Sequence, residues 1–153
     1  MDWPPHITVA AIAEREGKFL FVEEDVGFGP VLNQPAGHLD PGETLFEAVV
    51  RETLEETGWQ VEPRGVIGIY HYASPEAGIV YHRIAFQVQP LRQTDGALDS
   101  PIRAVHWLTP DELPRFALRS PLVTLCIEDF LRRGSLPLAF IAHPDATGTV
   151  HSR

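Results

Sequence analysis

The chain contains one cysteine, Cys126, in 153 residues. A single thiol builds neither a disulfide framework nor a thiolate zinc cage, and it fits a reducing compartment. Basic residues are scarce as well: 12 Lys and Arg stand against 21 Asp and Glu, a formal net charge of −9. A polymer of phosphates calls for a basic surface, so this balance argues against a nucleic-acid polymer and against an anionic membrane surface as partner. Small anionic substrates stay open, because a bound cation reverses a local field. No apolar run is long enough to span a bilayer. The stretch after Met1-Asp2-Trp3-Pro4-Pro5 is broken at Glu14-Arg15-Glu16, and those first residues lack the basic region of a signal sequence. No repeat, low-complexity tract or linker interrupts the chain. The expectation is a cytoplasmic protein with a single domain over 1–153, whose 44% apolar residues suffice for a core.

The residues that are present divide into short strands and three helices. Ile7–Ala13 and Lys18–Glu24 read as the arms of a hairpin turning at Glu14–Gly17, followed by a loop around a short strand at Val31-Leu32. Residues 44–57 form the strongest helix candidate: Thr44 and Glu47 make a capping box, and Gly58 is a natural stop. Phe46, Val50, Thr53, Leu54 and Thr57 gather on the face that packs on a sheet. Val66–Tyr72 and Ile79–Val88 read as strands, residues 89–101 as a mobile loop and Ala104–Leu108 as a further strand. Thr109-Pro110 opens a short helix. Ser120-Pro121 opens a longer one ending near Arg133, on which Cys126 is a packed residue and not a nucleophile. The core is expected over about residues 6–141, with 142–153 as a loosely held tail.

The chemistry is concentrated between Gly37 and Trp59. On a helix, Glu52, Glu55 and Glu56 are spaced i, i+3, i+4 and project from one face. Three like charges on one stripe repel, by about 0.2–0.5 kcal/mol per exposed pair, and a cation offsets that repulsion. Carboxylate oxygens are hard ligands, which favours Mg²⁺, with Mn²⁺ as substitute, over zinc or copper. Such an ion neutralises phosphate charge and acidifies a water. Three glutamates alone also fit a solvated acidic face. Arg51 lies four residues from both Glu47 and Glu55, within reach of either. Residues 37–58 hold six acids and one base, a net −5 of the chain's −9.

Gly37, Glu43, Arg51, Glu52, Glu55, Glu56 and Gly58 occupy the seven fixed positions of the Nudix box, Gly-x5-Glu-x7-Arg-Glu-U-x-Glu-Glu-x-Gly-U. A chance match in a chain of this length is on the order of one in a million. The chain therefore resembles the Nudix hydrolases. Thr53 and Trp59 fill the two aliphatic slots, a departure that concerns packing and not chemistry. Asn33-Gln34-Pro35-Ala36-Gly37-His38-Leu39, Leu118–Val123, His6–Ala10 and Glu16–Leu20 extend the likeness, in patches over residues 6–141, to a phosphatase subgroup of that family.

The resemblance implies an α/β fold, a Nudix-type α/β/α sandwich with a mixed β-sheet. It also implies a monomer and Mg²⁺-dependent hydrolysis of terminal phosphates with release of orthophosphate. Expected substrates are small phosphorylated molecules: nucleoside tri- and diphosphates, thiamine pyrophosphate and hydroxymethylpyrimidine pyrophosphate. By position, Glu52, Glu55, Glu56 and the Gly37 carbonyl are expected to hold metal, Arg51 to hold a box glutamate, and Glu43 to tie the loop to the helix. Glu52 or Glu56 is the expected general base. The alternative is a catalytically silent Nudix-fold module that binds a nucleotide and regulates another process.

Outside the box, Arg83 and Arg119 are candidates for phosphate, because guanidinium matches phosphate in a bidentate way; the rival reading of each is a surface salt bridge. Tyr70, Tyr72 and Phe86 are candidates for ring stacking or for core packing. Gln34 is a candidate to read a ring edge or to satisfy loop backbone. Asp95 or Asp99 in the 89–101 loop is a candidate for a further carboxylate.

Overall fold

A computed structural model describes residues 4–150. Met1–Trp3, noted above only for the absence of a basic region, and the last three residues of the expected tail lie outside the described residues. The opening hairpin joins β1 (His6–Arg15) to β2 (Lys18–Asp25), with Arg15 paired to Lys18. Glu16 and Gly17 both take positive φ, 54° and 79°, which is the two-residue turn whose twist matches the flanking strands. Then follow β3 (Pro30–Asn33), β4 (Ala36–His38), α1 (Leu45–Thr57), β5 (Trp59–Ser74), β6 (Ile79–Gln93), β7 (Ile102–Leu108) and α2 (Leu122–Arg133). Short 3₁₀ segments cover Pro110–Arg115 and Leu138–Phe140.

The sheet runs β3-β2-β1-β6-β5, with β4 paired to β1 and β7 to β2. Only β1 and β6 are parallel, so the sheet is mixed, as expected. Alternation along β1 splits the core into two layers. Val9, Ala11 and Ala13 face Val49 and Phe86 on the α1 side, whereas Ile12 faces Val123 and Ile127 of α2 with Phe19 and Phe21. The result is the expected α/β/α sandwich. Among the described residues no helix is long and apolar enough to cross a membrane.

β1 changes partner along its length. Its end pairs with β2 at Glu14 and Arg15, but Thr8, Val9 and Ala10 pair with β4. The two halves of the sheet therefore splay, and the chain from Asn33 to His38 crosses the gap. The site described below sits at that gap.

Three elements differ from the sequence reading. β5 and β6 are longer than expected, and their extra residues pair Trp59 with Gln93 and Gln60 with Arg92, so residues 89–93 are strand and not loop. β5 is an edge strand and absorbs Pro63, Gly65 and Gly68 at register shifts, which breaks the alternation that marks a strand. On α1 the buried arc is centred on Val49, with Val50 and Leu54 only half buried. That rotation carries Glu56 onto the buried face. The tail is anchored at His143, whose Nε2 accepts the Leu45 N–H at 3.1 Å while its ring meets Phe46 edge-on.

Candidate active site

The helix that carries the carboxylates is fixed at both ends. Thr44 Oγ1 accepts the Glu47 N–H at 3.1 Å and Glu47 Oε1 accepts the Thr44 N–H at 2.9 Å, the reciprocal cap expected from sequence. Gly58 closes the helix at φ 76°. Before the cap, Glu43 Oε1 accepts the Asp40 N–H at 2.8 Å and so closes the Asp40–Glu43 turn.

Arg51 organises the acids around it. Its Nε donates to Glu43 Oε2 at 2.7 Å and its Nη2 to Glu43 Oε1 at 2.9 Å, a fork onto one carboxylate. Nη1 donates to Glu52 at 2.9 Å and to Glu55 at 3.2 Å, and Nη2 also reaches the His38 carbonyl at 3.0 Å. Of the two acids within sequence reach, Arg51 therefore takes Glu55, while Glu47 is spent on the cap. These bonds hold the Glu43 carboxyl below the usual carboxylate range.

Glu52, Glu56 and Asp99 each offer a carboxylate oxygen, and the three oxygens lie within 4.8 Å of one another. Glu56 is only 8% exposed, and its Oε1 accepts the Ala36 N–H at 2.9 Å. Burial pushes its carboxyl up to about 9, and the charges of Glu52, Glu24 and Asp99 add to the rise. Burial also raises Glu52, against the pull of Arg51. A Cβ at Gly37 would overlap the Glu52 carboxylate, so a side chain there would push that carboxylate out of its place. Asp99 is brought in by the 94–101 loop, which is pinned to α1: Thr94 N–H donates to the Gly58 carbonyl at 2.7 Å and Asp99 N–H to the Glu55 carbonyl at 3.0 Å. The Glu55 carboxylate turns to Arg51 and stands outside the three-oxygen group, so two of the three expected side-chain ligands converge and Asp99 joins them. Three hard oxygens with like charge, two of them on buried or half-buried residues, are a donor set that fits a divalent cation.

Beside Ala36 and Gly37 opens a cavity of about 200 Å³, lined by His38, Tyr72, Tyr81, Glu24, Asn33, Arg83 and Arg119. Arg83 is 6% exposed and is held by neutral groups, donating to Gln34 Oε1 at 2.9 Å and to Asn33 Oδ1 at 3.1 Å. Arg119 is placed beside Asn33 by its N–H, which donates to the Leu32 carbonyl at 2.9 Å. Among the described residues neither guanidinium has a carboxylate within 4.0 Å, so the salt-bridge reading of both is set aside. A larger groove of about 1100 Å³ runs along Phe46, Val50 and Leu54; neither it nor the smaller cavity is lined by Glu52 or Glu56, but the smaller one reaches them through Ala36 and Gly37.

The structure corrects one expected substrate residue. Gln34 is fully buried, its Nε2 donating to the Val123 carbonyl at 2.7 Å and its Oε1 occupied by Arg83, so it clamps the arginine and cannot read a ring. Tyr70 and Phe86 are core residues, the Tyr70 hydroxyl donating to Asp129 at 2.8 Å, whereas Tyr72 lines the cavity. Cys126 is fully buried with its thiol pushed up by burial, in keeping with a packing role. Sequence reasoning missed Tyr81 and Glu24. Tyr81 was recoverable, because it shares Arg83's face of β6 and pairs with Tyr72. Glu24 carried no signal beyond ending an apolar strand.

Comparison with known proteins follows the same lines. A family model described as NUDIX domain matches residues 4–125. Phosphatase NudJ of Escherichia coli strain K12 is 37% identical over 139 residues, 90% of each chain, and that of Shigella boydii serotype 4 gives the same figures. A solved NUDIX hydrolase from Nitrosomonas europaea superposes with a TM-score of 0.90 at 40% identity, covering 94% of this chain and 99% of its own. The NUDIX domain of Shewanella oneidensis NrtR, solved with ADP ribose, shares the fold alone, with a TM-score of 0.69 at 18% identity over 85% of this chain and 88% of its own.

Proposed function

The chain belongs to the Nudix family and is a phosphoric anhydride hydrolase, and from that membership we propose that it removes the terminal phosphate of nucleoside tri- and diphosphates and of thiamine-type pyrophosphates in a Mg²⁺-dependent reaction. The observation that carries this reading is a juxtaposition. The Glu52–Glu56–Asp99 oxygens stand against Ala36 and Gly37, through the Ala36 N–H bond to Glu56 and the close approach of Gly37 to Glu52, and those two residues line a cavity that also holds two arginines without a carboxylate within 4.0 Å among the described residues. Nudix hydrolases generally use divalent metals, and Mg²⁺ is the proposed ion because the donors are all hard oxygens.

Glu52, Glu56 and Asp99 are the residues we assign to hold the cation, with the Gly37 carbonyl and Glu55 as further donors of the same box. When bound, the ion neutralises charge on the phosphate and acidifies the attacking water. Arg51 fixes the direction of Glu52 through its 2.9 Å bond. Glu52 or Glu56 takes the proton of that water as it attacks phosphorus, the bridging P–O bond breaks, and orthophosphate leaves. Arg83, held in place by Gln34 and Asn33, and Arg119 bind the phosphate oxygens. Tyr72 stacks on the ring of the substrate. Cytoplasmic location and a monomeric state complete the proposal.

The test is orthophosphate release from a panel of nucleoside di- and triphosphates, thiamine pyrophosphate and hydroxymethylpyrimidine pyrophosphate, with Mg²⁺ and with EDTA. Release from at least one of them that needs Mg²⁺ supports the reading, and metal-independent or absent release across the panel overturns it.

A further inference from the structure

Glu24 shares the substrate cavity and has no part in the reaction above. Its placement follows from a slip in pairing near the end of β2: Glu23 faces Ala104 and Glu24 faces Ile102, so Arg103 is skipped. Bulges of this kind re-aim side chains beside sites. The half-buried carboxylate lines the cavity together with Arg83 and Arg119. Asn33, whose Oδ1 takes Arg83 at 3.1 Å, lines the same cavity and helps pull the Glu24 carboxyl back down. Burial pushes the Glu24 carboxyl up, while both guanidinium charges pull it back. Neither arginine is within 4.0 Å of it, so its charge is felt across the cavity without being consumed in an ion pair.

An acid in a cavity built for phosphate weakens affinity for every anion. Its effect grows with the charge of the ligand, which makes it a sorter. We propose that Glu24 is a specificity-determining residue that sets how much negative charge the cavity accepts, favouring diphosphates over triphosphates bearing the same ring. Contacts to the ring are common to both ligands and cancel in the comparison. What remains is one extra unit of charge acting on Glu24 through a small, half-buried space, an effect of about fivefold on relative affinity. The inference rests on the phosphate-binding reading of Arg83 and Arg119.

The experiment compares the full-length wild-type chain with E24Q, which removes the charge, and E24D, which keeps it. Dissociation constants for non-hydrolysable, methylene-bridged nucleoside di- and triphosphates are measured by calorimetry in excess Mg²⁺. The triphosphate-to-diphosphate ratio of Kd should fall about fivefold in E24Q and stay at the wild-type value in E24D. A ratio in E24Q within about twofold of wild type, or an E24D ratio displaced as far as that of E24Q, overturns the proposal. So does a failure of both analogues to bind. Because burial disfavours the ionised carboxylate, E24Q should melt no lower than wild type, and a lowered Tm would assign Glu24 to the scaffold instead. Turnover is read separately. A chain without phosphohydrolase activity whose Kd ratio still moves refutes the function and not the sorting; an active chain whose ratio is fixed refutes the sorting and not the function.

Discussion

Burial of Glu56 imposes an unusual pH dependence on the metal-free protein. Its carboxyl titrates near 9 in the folded chain, against an ordinary value of 4.5. Between those limits the folded state keeps a proton that the unfolded state has lost, so stability falls as pH rises. Well inside the window the slope is about 1.4 kcal/mol per pH unit. From about pH 6.5 to about pH 8.0 the loss is therefore about 2 kcal/mol, a fall in Tm of about 4–8 °C for a chain of this size. Glu52 and Glu24 are also raised and act with the same sign. Glu43 is lowered, so its contribution is complete by about pH 6.5 and is lost only on acidification; His38 is lowered from 6.5, so its contribution still rises over the first unit of the range and acts weakly against the slope. The assay is a thermal melt in EDTA across that range, on wild type and E56Q. The substitution should remove most of the slope, and saturating Mg²⁺ should flatten the wild-type curve by displacing the proton. A wild-type Tm that is constant or rises with pH, or an E56Q slope equal to that of wild type, refutes the reasoning.

Three further outcomes follow from the geometry. A methyl group at residue 37 would overlap the Glu52 carboxylate; Gly37→Ala should lower kcat by about 100-fold or more in a phosphate-release assay, with near-native circular dichroism. Thr44→Ala removes one half of the cap on α1 and should cost about 1 kcal/mol, seen as a Tm lower by about 2–4 °C with kcat unchanged. Gln34→Leu strips Arg83 and the Val123 carbonyl of a buried partner; it should cost about 1–3 kcal/mol and raise KM more than it lowers kcat, as steady-state kinetics and a melt together report.

Much of this was legible because it is local. The box spacing, the Thr44–Glu47 cap and the Gly58 stop depend on residues a few positions apart, and all appear in the structure where the sequence put them. The mixed-sheet sandwich followed from the family resemblance rather than from periodicity. What was illegible depends on the far side of the fold. Gln34 and Arg83 are 49 residues apart, and only their 2.9 Å contact shows that the glutamine serves the arginine. Asp99 was one of two candidates in a loop, and its choice over Asp95 rests on a backbone bond to Glu55. Glu24 is turned into the cavity by a pairing slip with β7, which nothing in β2 announces. The reading of 89–101 as a loop holds for 94–101 and fails over 89–93, because Pro90 and Arg92 lie on an outlying stretch of β6, where a proline is tolerated.

The central claim is that the buried acids of α1 are kept for catalysis and not for stability. Glu56→Gln separates the two on one protein. In EDTA at about pH 8 it should melt above wild type, because the substitution removes a carboxyl that burial holds near 9. In Mg²⁺ it should release orthophosphate at least about 100-fold more slowly from whichever panel substrate wild type prefers. A variant that turns over like wild type would contradict the account.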